Sequence, residues 1–218
     1  MSDIKAIILD FDGVIVESND PKLQAFEDLF ALYPAQADAM RDYHLKNYSC
    51  PRRMKFEHYV FKLLKQPDNV AGIETMAKQF SEFSVRRVVA CQYVSGAREF
   101  LEKFSQRVPL YISSVTPEDE LKQIIKFRRI DSFFQRIFGN PPWEKTDAIR
   151  TIVASEKLSS SEVLFIGDSV SDCQAALDAG VVFIGRDSGL DLSLGNLSIE
   201  RYHDLNEIAC VIKSRVKG

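Results

Sequence analysis

The segment IKAIILDFDG, residues 4–13, is a short apolar run that stops abruptly at two aspartates. Continuous apolar runs of this length, bounded by polar turns, are typical of strands buried on both faces, and therefore of a parallel sheet. Residues 136–138 and 199–202 predict two shorter strands. The other apolar runs are VPLYI at 108–112, VLFI at 163–166 and VVFI at 181–184.

Helical patterns lie between these runs. Residues 94–104, 121–125, 148–153 and 208–216 each place their apolar side chains on one face of a helix. Because strands and helices alternate, the sequence predicts an α/β fold: a Rossmann-like parallel sheet with helices on both faces.

Residues 17–90 break the alternation, since they contain helical patterns and no convincing strand. From Phe56 to Leu64, for example, apolar residues recur at i, i+3, i+4, i+7 and i+8. The sequence therefore predicts two domains. Residues 1–16 and 91–218 form the α/β core, and residues 17–90 form an all-helical insertion after the first strand.

The composition excludes several classes of protein. Of 218 residues, 28 are basic and 31 acidic, a net charge of −3 that gives no electrostatic reason to expect nucleic-acid binding. No apolar run approaches the roughly 20 residues that span a bilayer, and the first residues do not resemble a secretory signal. The four cysteines lack metal-binding spacing, which is typical of reduced thiols. We expect a soluble cytoplasmic protein without a membrane or nucleic-acid partner.

Polar side chains cluster where the predicted strands end. In an open parallel sheet, ligands bind outside the carboxyl ends of the strands, so these side chains are the candidates for chemistry. A lysine that opens the helix before the VLFI strand joins them. The candidates are Asp10, Asp12, Ser113, Ser114, Lys145, Asp168 and Asp172.

Carboxylates gathered in this way raise one another's pKa unless a cation holds them. A hard ion with oxygen ligands and open positions for phosphate oxygens describes Mg²⁺, and Lys145 favours an anion beside it. A carboxylate can attack phosphorus to give an aspartyl-phosphate, while a second aspartate works as general acid and base. The residues therefore predict phosphate chemistry with Mg²⁺ as cofactor.

The motifs resemble those of the haloacid dehalogenase-like hydrolase superfamily. DFDGV after the first strand, a strand-terminal serine, a lysine and GDSxxD occur in that order. The insertion at 17–90 is similar to the small helical cap of members that include phosphoglycolate phosphatases and β-phosphoglucomutases. The resemblance implies hydrolysis of a phosphate ester, because the dehalogenases lack the second aspartate of DxD.

The resemblance also implies roles for the first motif. Asp10 would be the nucleophile and a Mg²⁺ ligand. Asp12 would be the general acid and base, with its backbone carbonyl on the metal. Gly13, which follows in the same motif, would lie at the substrate.

The remaining motifs take complementary roles by the same resemblance. Ser113 would hydrogen-bond a phosphoryl oxygen, with Ser114 one position away as the alternative. Lys145 would stabilise the charge on Asp10 and on the transferring group. Asp168 would ligate Mg²⁺ directly, and Asp172 would ligate it or hold its waters.

Substrate specificity is expected in the insertion. Arg52 and Arg53 follow Pro51 at a predicted helix start, where cations oppose the helix dipole, so they are candidates for a substrate-binding patch. A solvated polar face is the alternative interpretation of these two arginines.

Three functions follow from the sequence. The first is a Mg²⁺-dependent phosphatase for a small phosphorylated metabolite, phosphoglycolate-like or a sugar phosphate. The second is a phosphomutase of the β-phosphoglucomutase type, and the third is a non-catalytic regulatory or binding protein on the same scaffold. In each case the chain is expected to be a monomer or a homodimer.

Overall fold

A computed structural model describes residues 3–47, 50–190, 192–195 and 197–216. The chain divides into two compact units. The α/β unit consists of Met1–Glu17 and Gln92–Gly218, and the helical unit consists of Ser18–Cys91. The role of the helical unit as a cap stays a prediction.

The strands of the α/β unit are β1 Ala6–Leu9, β2 Leu110–Ser114, β3 Arg136–Gly139, β4 Val163–Gly167, β5 Val182–Arg186 and β6 Arg201–Tyr202. They form a parallel sheet that has six strands among the described residues, in the order β3-β2-β1-β4-β5-β6. The chain runs outward from β1 on one side of the sheet and then returns to build the other side from β4. The direction of winding therefore changes between β1 and β4, and ligands bind at such a position in open α/β sheets.

Helices cover both faces of this sheet, so the predicted fold class is confirmed. On one face, the helices at Lys145–Ser155 and Val170–Ala179 pack on a core that includes Ile8, Tyr111, Phe138 and Phe165. The helices of this unit are α5 Ala97–Phe104, α6 Glu118–Phe127, α7 Lys145–Ser155, α8 Val170–Ala179 and α9 Leu205–Ile212.

The second strand begins and ends later than its apolar run predicts. Val108 donates its N–H to the Phe104 carbonyl at the end of α5 rather than to a neighbouring strand, and Pro109 has no N–H to donate. At the other end the ladder continues through Ser113 and Ser114, which pair with β3. The two serines therefore lie within the strand rather than after it.

The helical unit has an aromatic core in which four α-helices meet. Phe26, Phe30, Phe56, Tyr59 and Phe80 are all buried there. The pattern from Phe56 to Leu64, predicted as one helix, is divided: an α-helix ends at His58 and a π-helical turn occupies Tyr59–Leu63. The α-helices are α1 Asn19–Ala31, α2 Ala37–Lys46, α3 Arg52–His58 and α4 Val70–Ala90.

Within the part of the chain that the structure describes, no helix is both long enough and apolar enough to cross a membrane.

Candidate active site

The site begins where β1 and β4 end side by side. Leu9 of β1 pairs with Ile166 of β4, and the next residue, Asp10, donates its N–H to the Ile166 carbonyl at 2.9 Å. Asp168 follows directly after β4. Parallel pairing therefore brings these two aspartates to one edge of the sheet from positions far apart in the chain.

Asp10, Asp168 and Asp172 each offer a carboxylate oxygen within 4.8 Å of the others. All three side chains are buried. The Lys145 ammonium donates to Asp10 Oδ2 at 2.9 Å and also to Asp172 Oδ1. The ammonium thus pairs with two of the three carboxylates. When all of these groups are ionised, three carboxylates and one ammonium leave the cluster with surplus negative charge.

The Asp172 side chain is fixed by hydrogen bonds to Ser169, the residue before α8. Ser169 caps this helix: its backbone N–H donates to Asp172 Oδ2 at 3.1 Å and its Oγ accepts from the Asp172 N–H at 3.3 Å, forming a capping box. The Ser169 hydroxyl also donates to Asp172 Oδ2 at 2.5 Å. The last residue of β4 must be glycine, because a Cβ at Gly167 would lie 2.3 Å from Asp172 Cβ. Asp172 is therefore both the capping-box partner of Ser169 and an ion-pair partner of Lys145.

Burial raises the pKa of the Asp10 carboxyl well above its usual value. Lys145 opposes this rise, and the carboxylates of Asp172 and Asp168 add to it. Burial also works against the charge on Lys145, but the carboxylates of Asp10 and Asp172 outweigh burial and raise the lysine pKa. The ammonium therefore stays protonated, and a further cation would favour ionised carboxylates.

Asp12 lies apart from the group of three carboxylates. The strand ends at Leu9 and the chain bends at Phe11, so strand alternation does not continue to Asp12. The Asp12 carboxylate accepts hydrogen bonds from Thr116 Oγ1 at 3.0 Å and from Ser114 Oγ at 3.4 Å. The two aspartates of the first motif therefore have different partners: Asp10 contacts the Lys145 ammonium, and Asp12 contacts the hydroxyls of Thr116 and Ser114.

The adjacent serines of β2 point to opposite faces of the sheet, as alternation along a strand requires. Ser114 is directed to Asp12. Ser113 shares its face with Tyr111, which packs with residues of α7, the helix that begins at Lys145. Ser113 is buried. Alternation therefore places the Ser113 hydroxyl on the α7 side of the sheet.

Gly13 adopts a left-handed backbone with φ of 72°, which glycine accommodates best. Its carbonyl accepts a hydrogen bond from Arg186 at 3.1 Å. The same guanidinium binds both carboxylate oxygens of Glu17, at 2.6 Å and 3.0 Å, and donates to the His203 carbonyl. Neither Arg186 nor Thr116 was predicted from the sequence, because neither belongs to a motif.

The two arginines predicted for substrate binding belong to the helical unit. Arg53 forms ion pairs with Glu57 and Glu74, at 3.3 Å and 2.8 Å. Arg52 donates to Ser81 Oγ at 3.3 Å and lies over the Phe80 ring. Both side chains thus have partners inside their own unit, and their contact with substrate stays a prediction.

The family model described as haloacid dehalogenase-like hydrolase matches residues 7–186. The matched range includes every residue of the cluster around Lys145, together with the helical unit. No curated protein matches the chain significantly.

Several solved structures share the fold over nearly the whole chain. A predicted phosphoglycolate phosphatase from Haemophilus somnus has a TM-score of 0.76 at 17% identity, covering 97% of this chain and 99% of its own. A proposed HAD-hydrolase from Bacillus subtilis, YfnB, bound to magnesium, has a TM-score of 0.73 at 15% identity, with 97% and 100% covered. A proposed β-phosphoglucomutase from Thermotoga maritima has a TM-score of 0.69 at 20% identity, with 97% and 99% covered.

Proposed function

The chain belongs to the haloacid dehalogenase-like hydrolase family, and from this premise we propose that it hydrolyses a small phosphate monoester through an aspartyl-phosphate on Asp10. The observation that supports this proposal best is the buried contact between Asp10 and Lys145. Lysine beside a buried carboxylate orients it and attracts the anionic group that the carboxylate attacks.

The donor set fits Mg²⁺. Three buried carboxylates supply oxygen atoms, which Mg²⁺ prefers, and their surplus negative charge needs a cation. Asp10 and Asp168 would hold the ion. Asp172, whose two oxygens already accept from Lys145 and Ser169, would bind it through water. Bound Mg²⁺ would supply charge neutralisation for the phosphoryl group.

The proposed hydrolysis has two steps, and Asp10, Asp12, Ser113 and Lys145 each have a role in them. The Asp10 carboxylate forms a bond to phosphorus while the ester P–O bond breaks, and Asp12 gives a proton to the leaving oxygen. Water then attacks phosphorus, Asp12 takes a proton from it, and inorganic phosphate leaves Asp10. Ser113 and Lys145 would bind the phosphoryl oxygens. The helical unit would close over the site as a cap and exclude water.

The test is a phosphate-release screen with phosphorylated hydroxy acids and sugar phosphates, in Mg²⁺ or in chelator. We expect release only with Mg²⁺, and its loss in Asp10→Asn. Asp178→Asn, an exposed aspartate near the end of α8, is the matched control and should retain full activity. Activity in Asp10→Asn would contradict the assignment of the nucleophile.

The same screen separates the alternatives that the sequence left open. Conversion of a hexose 1-phosphate to its isomer without phosphate release would indicate a phosphomutase. Absence of both Mg²⁺ binding and turnover would indicate a non-catalytic protein. The cytoplasmic location and the monomeric or homodimeric state stay expectations.

A further inference from the structure

Asp12 is held by two hydroxyl groups, one from the last residue of β2 and one from the loop that follows it. Thr116 Oγ1 donates to Asp12 Oδ2 at 3.0 Å, and Ser114 Oγ donates to the same oxygen at 3.4 Å. The Thr116 backbone N–H in turn donates to Ser114 Oγ at 3.1 Å. The two hydroxyls and the carboxylate therefore form a connected network.

The loop that carries Thr116 is itself fixed. The Thr116 carbonyl accepts a hydrogen bond from the Asn140 N–H at 3.1 Å. The neighbouring Gly139 leaves room for this contact, because a Cβ there would lie 2.5 Å from the Thr116 carbonyl oxygen. Thr116 is only 4% exposed. The hydrogen bond to Asn140 therefore fixes the Thr116 backbone, and burial restricts the Thr116 side chain.

In the proposed reaction Asp12 loses a proton in the first step and regains one in the second. A hydroxyl group can hydrogen-bond to Asp12 in both protonation states. A threonine hydroxyl donates to an ionised carboxylate, and it can accept from the same group once that group is protonated. A backbone N–H or a lysine ammonium could only donate and would favour the ionised form. The Thr116–Asp12 contact can therefore persist through both halves of the reaction.

We propose that Thr116 is a positioning residue for Asp12, assisted by Ser114, and that the adjacent Ser113 is left to bind the phosphoryl group. This inference rests on the proposed function. Its chemical consequence concerns proton transfer alone: Asp12 gives its proton to the ester oxygen as the Asp10–phosphorus bond forms and the P–O bond breaks. The departing alcohol carries that proton away.

The leaving group provides the test. An alkyl phosphate needs protonation as its alcohol leaves, whereas p-nitrophenolate is a stable anion and needs little. The value of kcat/KM reports the steps up to loss of the alcohol. In Thr116→Val we expect kcat/KM to fall about tenfold for an alkyl phosphate and less than about threefold for p-nitrophenyl phosphate.

Matched variants separate positioning from general damage. Thr116→Ser keeps the hydroxyl and should recover kcat/KM for the alkyl ester to within about twofold. Thr151→Val, which removes a hydroxyl bonded to a backbone carbonyl in α7, should leave both substrates unaffected. Thr116→Ala replaces Thr116→Val if valine prevents folding. An equal loss with both esters, or no loss with either, would overturn the proposal.

If the proposed function is wrong, the wild-type protein will hydrolyse neither the alkyl phosphate nor p-nitrophenyl phosphate. Crystal structures of the wild-type protein and of Thr116→Val then test the positioning role of Thr116, even if the protein hydrolyses neither ester. We expect the Asp12 carboxylate to keep one orientation in wild type and to turn away or become disordered in the variant. An unchanged Asp12 side chain in the variant would overturn the proposed positioning role.

Discussion

Lys145 Nζ lies 2.9 Å from Asp10 Oδ2, although the two residues are 135 positions apart in the chain. Both side chains are buried, at 8% and 6% exposure. The contact joins the first turn of α7 to the end of β1, so helix packing and site chemistry depend on the same pair. Removing one member of a buried ion pair leaves the other charge uncompensated, which costs more than the pair itself contributes.

Lys145→Met should therefore lower both activity and stability. Without the ammonium, Asp10 and Asp172 are buried carboxylates with no cation, so we expect the free energy of unfolding in chelator to fall by about 3 kcal/mol. Mg²⁺ should recover part of that loss, and phosphatase activity should fall at least about a hundredfold. Urea unfolding with and without Mg²⁺ measures the first two effects. Lys126→Met, at an exposed position on α6, is the control. Equal stability of the two variants would show that the buried ammonium does not stabilise the fold.

Asp168→Asn should weaken Mg²⁺ binding while the fold persists. The substitution keeps the size of the side chain and removes one of three negative charges in the cluster. We expect the Kd for Mg²⁺, measured by isothermal titration, to rise at least about tenfold. Asp178→Asn should leave the Kd unchanged, because its carboxylate accepts from Gln174 on the surface of α8. Unchanged affinity in Asp168→Asn would exclude Asp168 as a ligand.

Lys55 makes the helical unit sensitive to pH. It is 2% exposed, its ammonium lies 3.3 Å from His44 Nδ1, and burial lowers its pKa to about 8. The unfolded chain therefore binds the proton more tightly between pH 8 and 10.5, so stability rises with pH across this window. Below pH 8 the Lys55 ammonium is protonated in the folded unit, and the free energy of unfolding is reduced by the full cost of burying that charge.

Lys55→Met should remove that cost. We expect the free energy of unfolding at pH 7 to increase by roughly 2 kcal/mol, and the gain to disappear towards pH 10.5. Urea unfolding of the full chain at both pH values checks this. Lys78→Met, at an exposed position on α4, should change little at either pH. A loss of stability in Lys55→Met at pH 7 would show that the contact with His44 outweighs burial.

Arg186 should be among the most sensitive arginines in the α/β unit. Its guanidinium binds the Gly13 carbonyl and both oxygens of Glu17. Arg186→Met therefore leaves the buried Gly13 carbonyl without this donor and the half-exposed Glu17 carboxylate without this ion pair. We expect the free energy of unfolding to fall by about 2 kcal/mol. Arg53→Met, which breaks exposed ion pairs, should cost less than about 1 kcal/mol. Similar costs for the two variants would refute this difference between buried and exposed arginines.

The sheet was predictable because its strands are buried on both faces, and continuous apolar runs indicate such strands directly. The ends of the strands were less predictable. Pro109 delays the start of β2, and backbone pairing with β3 extends the strand through Ser113 and Ser114, residues with no apolar signal. The π-helical turn at Tyr59–Leu63 likewise leaves the apolar spacing almost unchanged.

The residues that meet at the site were predictable where a local signal marks them. Asp10 and Asp168 follow strands, and Lys145 opens a helix, so parallel topology alone brings them to one edge. Thr116 and Arg186 have no such signal. Their partners, Asp12 and Glu17, lie 104 and 169 positions away, and only the folded chain reveals the contacts.

In the proposed mechanism Asp10 carries the phosphoryl group during turnover. Mixing the enzyme with Mg²⁺ and a good substrate, quenching in acid within the first turnovers, and analysing the peptides by mass spectrometry tests it directly. We expect one phosphoryl group, on the peptide that contains Asp10, labile to hydroxylamine and missing from Asp10→Asn. Turnover with no phosphorylated peptide, or with the phosphoryl group on another residue, would contradict it.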